Sequence, residues 1–138
     1  MKDSLKPGLS HAFTFTVPEN KTVPHLFPEA KDFQEMPKVL ATGFLVGLIE
    51  WTCIQALQPH LDWPAEQTVG TRIDMSHMAA TPPGLAATIR VRLTEVEGKR
   101  LVFEFDGDDG KDAITKGTHE RFVIDAEKFG ARLKKKMG

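Results

Sequence analysis

The segment from Val39 to Gln58 constrains this chain most. It carries Leu40, Phe44, Leu45, Leu48, Ile49, Trp51, Ile54 and Leu57, which leaves apolar side chains nearly all round a helix. A helix of that kind is stable in water only when other elements cover most of its circumference. Pro59 and the stretch to Pro64 stop it. The rest of the chain must therefore supply a wrapping.

The wrapping reads as antiparallel sheet. Before the helix, Phe13, Phe15 and Val17 alternate with Thr14 and Thr16, the period of a half-buried strand. After it, Gly70 to Ala80 sets Ile73, Met75, His77 and Ala79 against Arg72, Asp74, Ser76 and Met78. Leu85, Ala87, Ile89, Val91 and Leu93 then alternate with Thr88, Arg90, Arg92 and Thr94, beyond a turn at Thr81-Pro82-Pro83-Gly84. A hairpin at Glu97-Gly98 leads to Leu101, Phe103 and Phe105, and Gly107-Asp108-Asp109-Gly110 turns into a strand over Ala113 to Ile124. An amphipathic helix from Asp125 to Lys136, with Asp125 as N-cap, closes the order. Between the first strand and the long helix, Lys21 to Pro37 is broken by prolines yet holds Leu26, Phe27 and Phe33, as a flap over an apolar surface would. The expected class is α+β: one long buried helix wrapped by a curled antiparallel sheet, the layout of a hot-dog fold, in a single domain spanning residues 1–138. Open sheet edges predict a dimer.

Composition removes several functions. Net charge is −1 with 27% charged residues, and Lys134-Lys135-Lys136 is the one basic run, so no nucleic-acid footprint is built. The single cysteine, Cys53, lies in an apolar run and reads as a buried, inert thiol. No secretory signal opens the chain, and the apolar stretch around Leu40 to Ile49 is too short to span a bilayer, which predicts a cytoplasmic protein with no membrane partner. His11, His25, His60 and His119 show no metal-ligand spacing, so neither a metal nor another cofactor is expected. Nucleophile-elbow, Walker and dinucleotide motifs are absent.

The chemistry concentrates in few residues. Glu50 sits between Ile49 and Trp51 in the apolar helix, where an unpaired carboxylate is costly. Burial would raise its pKa and suit it as a base or nucleophile; a carboxylate bridged to Arg or His at a dimer interface is the alternative. Gly43, Gly47 and Glu50 share one stripe, consistent either with close approach of a ligand or another backbone, or with tight helix-on-sheet packing. A helix starting near Thr42 would offer free N–H groups to an oxyanion, with Thr42 as its N-cap. His77 falls on the apolar side of its strand, as a core or a catalytic histidine, and His119 and Arg121 share a face as an ion-pairing or ligand-lining pair.

The blocks "KTVPHLFPEA", "ATGFLVGLIEW", "AATPPGL", "VEGKRL", "KGTHERFVI" and "EKF" resemble, in order and spacing, the fluoroacetyl-coenzyme A thioesterase family of hot-dog proteins. The resemblance implies hydrolysis of a short-chain acyl-CoA, with CoA entering only as part of the substrate, in a homodimer. It implies Thr42 in "ATGF", Glu50 in "GLIEW" and His77 in "MSHMAATPPG" as the catalytic trio, and Gly70 and Arg121 as contacts to the acyl end. Gly43 would contribute its N–H to the thioester oxygen. The first of two flap aromatics corresponds to Phe33; at the second stands Met36, a departure that bears on fluoroacetyl specificity. Eight residues of helix rise about 12 Å, so Thr42 and Glu50 cannot meet within one regular helix. Thr42 precedes the helix, or water and substrate bridge the two, or two subunits supply different members. A hot-dog acyl-CoA hydratase and a non-catalytic acyl-CoA or small-ligand binding protein are the alternatives.

Overall fold

A computed structural model describes residues 1–138. Five strands, β1 (Ser10–Thr16), β2 (Glu66–His77), β3 (Ala86–Glu97), β4 (Arg100–Asp108) and β5 (Ala113–Asp125), form one sheet in the order β1-β3-β4-β5-β2. Every pairing is antiparallel. Helix α2 (Thr42–Leu57) lies in the curl of the sheet, against β1, β2 and β3. A short helix, α1 (Lys31–Gln34), sits in the flap, and α3 (Ala126–Met137) ends the chain. This is the expected hot-dog layout.

The alternation read from the sequence is the alternation of burial. Ala87, Ile89, Val91 and Leu93 of β3 and Leu101, Phe103 and Phe105 of β4 face inward with Ile114 and Val123 of β5. They meet Leu45, Leu48, Ile49, Cys53, Ala56 and Leu57 of α2. Each such Leu, Ile or Phe contributes about 1.5–3 kcal/mol when withdrawn from water. The outer face carries paired charges, among them Arg90 with Asp106 and Asp108, and Arg92 with Glu104. Asp125 caps α3 as expected, its carboxylate accepting from Lys128 N at 3.0 Å.

Several boundaries differ from the sequence reading, two of them by enough to matter for the site. The helix begins at Thr42 rather than Val39, because residues 39–41 are tied into extended backbone: Val23 N donates to Val39 O, Leu40 N to Thr81 O and Ala41 N to Lys21 O. Its N-cap is therefore Ala41, and Thr42 is the first helical residue, not the cap. Strand β2 starts at Glu66, ahead of Gly70, and ends at His77, where the chain turns away toward Thr81. Nor is α2 covered all round. Thr42, Gly43, Gly47 and Trp51 are exposed along one side, Trp51 packing edge-on against Phe13.

Strand β2 is an edge strand of 12 residues with no partner on its outer side. It also carries a bulge: Gly70 pairs with Arg121 and Arg72 with Glu120, leaving Thr71 unpaired. One extra residue reverses the parity of inward positions. Gly70 before the bulge and Ile73, Met75 and His77 after it thus all face β5's inner residues Arg121, His119, Gly117 and Thr115.

Candidate active site

The polar groups singled out in the sequence gather in two places along α2. Glu50, two turns into the helix, projects toward β2 and β5. Its Oε2 accepts from Arg121 Nη1 at 2.8 Å, and its side chain is 37% exposed while that of Arg121 is only 3% exposed. The carboxylate is thus neither fully buried nor unpaired, unlike the buried carboxylate expected from its apolar neighbours, and it is bridged to an arginine as in the alternative reading. Its partner comes from the same chain.

Arg121 is held from several sides. Its Nε donates to Thr68 Oγ1 at 2.8 Å and its Nη2 to Thr68 O at 2.9 Å. Nη1 also lies 3.0 Å from His119 Nε2, and His119 Nδ1 lies 2.8 Å from Arg72 O. Burial is the chief influence lowering the His119 pKa; the Arg72 carbonyl opposes it, and the Arg121 charge reinforces it. Gly70 lines the same spot. A Cβ there would stand 2.6 Å from Glu50 Oε2, 3.2 Å from His119 Cε1 and 3.3 Å from Arg121 Nη1, so only glycine leaves the carboxylate where it is. Close by, burial pushes the Cys53 thiol up to about 12, against the Arg121 charge and with that of Glu50, which makes it an inert thiol as expected.

The second group lies at the N-terminal end of α2. Thr42 Oγ1 and His77 Nδ1 are 2.8 Å apart, joining the first residue of the helix to the last residue of β2. Burial lowers the His77 pKa, and its Nε2 is buried without a hydrogen-bond partner. Because Ala41 provides no side-chain cap and Leu45 N is the N–H that bonds back to Ala41 O, the first-turn N–H groups, that of Gly43 among them, stay outside the helical ladder. Such a helix start attracts an anion or a carbonyl oxygen gaining charge.

The flap crosses this end. A Cβ on Gly43 would stand 2.9 Å from Leu26 Cδ1, so the glycine lets the flap lie close, whereas Gly47 has no neighbour within 4 Å. Phe33 packs on Phe27 at 6.0 Å between ring centroids, and Met36 is 47% exposed. Gln34 Nε2 ties the flap to itself through Pro24 O and Pro28 O.

Thr42 and His77 therefore come together, and so do Glu50, Gly70 and Arg121. The two groups are separated by the two helical turns between Thr42 and Glu50. Thr68 went unnoticed in the sequence because the bulge at Thr71 hides its face. His119 was legible only through its spacing from Arg121. No group of three or more His, Cys, Asp or Glu side chains is arranged to hold a metal. A depression of about 990 Å³ lies across the outer face of the sheet among paired charges and includes none of these residues.

The family model for a fluoroacetyl-CoA-specific thioesterase matches residues 20–127. A fluoroacetyl-CoA thioesterase from Streptantibioticus cattleyicolor is 49% identical over 136 residues, 99% of this chain and 97% of its own. A phenylalanine-to-alanine mutant of the fluoroacetyl-CoA-specific thioesterase superposes with a TM-score of 0.94 at 49% identity, covering 98% of this chain and 99% of that one. A Thermus thermophilus thioesterase superfamily member, 22% identical, has a TM-score of 0.82 over 98% of this chain and 97% of its own, which speaks to the fold alone. With a matched segment that holds both polar groups and the flap, this chain belongs to the fluoroacetyl-CoA-specific thioesterase family.

Proposed function

We propose that this chain hydrolyses a short-chain acyl-CoA to the free acid and CoA, with Thr42, Glu50 and His77 as the reacting groups and Gly70, Arg121, Gly43, Phe33 and Met36 around the substrate. The observation that carries the reading is the meeting of Glu50 and Arg121 over the bare backbone of Gly70. It holds a carboxylate and a cation together against a backbone that carries no side chain, so the carboxylate keeps a fixed place from which to act. Family membership supplies the substrate class.

In this reaction the first-turn N–H groups of α2, including that of Gly43, receive the thioester oxygen as it gains charge. Glu50 either attacks the carbonyl, expelling the CoA thiolate to give an anhydride that water then opens, or takes a proton from a water whose oxygen attacks the carbonyl and displaces the thiolate. Label found in the Glu50 carboxylate after single turnover in isotopically labelled water would establish the anhydride route, since general-base catalysis leaves that carboxylate unlabelled. With the Thr42 hydroxyl donating to Nδ1, His77 carries its proton on Nε2, ready for the departing thiolate.

The separation of the two groups is met by a second copy. Within one chain they stand about 12 Å apart along α2. The unpaired edge of β2 adjoins both, so a homodimer joined there sets one copy's Thr42 and His77 opposite the other's Glu50 and Arg121. A single hot-dog domain over 1–138, in the cytoplasm and without a cofactor, completes the reading; no helix is long and apolar enough to cross a membrane. Release of free thiol from a panel of short acyl-CoAs tests the activity, and background rates throughout would refute it. Mixing inactive Glu50→Gln and His77→Ala proteins tests the shared site: regained activity is expected, and its absence would place the whole site in one chain.

A further inference from the structure

We infer that His119 is a positioning residue for this reaction: a neutral imidazole whose Nε2 lone pair accepts from Arg121 Nη1 and so aims the guanidinium at Glu50. The inference rests on the proposed roles of Glu50 and Arg121. Both ring nitrogens have partners that fix their roles. Nδ1 faces the Arg72 carbonyl at 2.8 Å, and a carbonyl only accepts, so Nδ1 bears the proton. Nε2 faces a guanidinium N–H at 3.0 Å, and a guanidinium only donates, so Nε2 bears the lone pair. One tautomer satisfies both contacts, and the imidazolium satisfies only one.

The neighbours explain why this acceptor matters. The two hydrogens of Arg121 Nη1 are divided between Glu50 Oε2 and His119 Nε2, while Nε and Nη2 are engaged by Thr68. Four of the five N–H groups are thereby committed, which leaves one on Nη2 for a ligand. Removing the His119 lone pair would strand a buried donor on Nη1 and take away the one contact, besides Glu50 itself, that orients that nitrogen. The charged groups facing the imidazole are Arg121 and Glu120 from β5 and Glu50 from α2, while β4 presents Phe103 and β2 the Arg72 carbonyl. Burial, foremost, and Arg121 hold the ring neutral against the opposing carbonyl and carboxylates.

The bulge at Thr71 belongs to the same device. It resets the register so that Ile73 pairs with His119 while Gly70 pairs with Arg121, and the Arg72 carbonyl, the one residue between bulge and pair, turns to the imidazole. An irregularity in an edge strand is thus transmitted through one histidine to the guanidinium beside the proposed reacting carboxylate.

Nitrogen NMR of the intact protein at neutral pH reads the tautomer without reference to turnover. A protonated Nδ1 and a bare Nε2 on His119 are expected; a protonated Nε2 overturns the inference. Two variants read the consequence. His119→Leu removes the acceptor and should lower kcat about 100-fold with a smaller change in KM, the scale expected when a reacting group is misplaced by about 1 Å. His119→Gln, whose amide oxygen reaches near the former Nε2, should recover most of that loss. Equal losses in both variants, or full activity in a folded Leu variant, overturn the inference. Should the wild-type protein hydrolyse no acyl-CoA, the proposed function fails, and the tautomer still decides whether His119 holds Arg121. Where the Leu variant does not fold, the Gln variant and the tautomer carry the test.

Discussion

The two polar groups on α2 are built in opposite ways. Around Arg121 nearly every donor and acceptor is taken: Glu50, Thr68 and His119 share the guanidinium, and Arg72 holds His119. At the helix start, Thr42 and His77 make one contact, His77 Nε2 has none, and no side chain caps the helix. A saturated network resists rearrangement, because each broken bond leaves a buried group unpaired. A sparse one can take in a substrate atom or pass a proton. Within the proposed reaction the first holds the reacting Glu50 carboxylate in place, and the second receives the charge developing on the thioester oxygen and supplies the proton to the departing thiolate.

The largest expected effect breaks the saturated side at its reacting member. Glu50→Gln keeps size and a hydrogen-bond acceptor for Arg121, yet cannot take a proton or attack, so kcat should fall by at least about two orders of magnitude with fold and ligand binding retained. Near-wild-type turnover would remove Glu50 from the chemistry.

Gly70→Ala displaces rather than deletes. The added methyl stands 2.6 Å from Glu50 Oε2, and the carboxylate is the flexible partner that must shift. A loss in kcat approaching 100-fold is expected, the scale of a 1 Å misplacement. Unchanged turnover with an unchanged melting temperature would show that the carboxylate position carries no information.

The sparse side is tested by His77→Ala. Turnover should fall, and the acid limb of the pH–rate profile should vanish; that limb lies below the ordinary histidine range because burial lowers the His77 pKa. An unchanged profile with lowered stability would make His77 a core residue. The sign for stability follows from the same shift. His77 and His119 both have folded pKa values below their ordinary 6.5, so the unfolded chain binds more protons in the window beneath it. Stability from these two groups is present above that window and is lost as pH falls through it. Unfolding midpoints measured from pH 7 downward should decline, and the decline should shrink in His119→Gln. An equal decline in that variant would assign the loss to other groups.

The smallest effect belongs to the flap, which touches α2 through Leu26 and leaves Met36 half exposed. Methionine is flexible and fits several shapes, and one small group in a pocket is worth about 1–3 kcal/mol, so modest discrimination between fluoroacetyl and acetyl thioesters is expected. Met36→Phe should alter relative kcat/KM among small acyl groups more than it alters stability. A wild-type preference for fluoroacetyl of several orders of magnitude would contradict this view of the lid.

Much of the molecule was open to reading from residue order alone. The apolar circumference of the Val39–Gln58 run demanded a wrapping, and the alternation in Leu85–Leu93 and Leu101–Phe105 supplied it, because helix and strand periods follow from local backbone geometry. The hairpin at Glu97-Gly98 and the Asp125 cap were legible for the same local reason. The family blocks pointed to Thr42, Glu50, His77, Gly70 and Arg121 without saying how they meet.

How they meet was decided by tertiary structure. Strict alternation places Gly70 and His77 on opposite faces of β2, and only the bulge at Thr71, imposed by pairing with β5, brings both inward. Thr42 reads as an N-cap until the backbone ties from residues 39–41 to Lys21, Val23 and Thr81 move the cap to Ala41 and free the hydroxyl for His77. Glu50 reads as a stranded carboxylate until β5, 71 residues further along the chain, delivers Arg121 to it. Local periodicity determines which residues face inward along each element; long-range pairing, which no local period encodes, decides which of those inward residues touch.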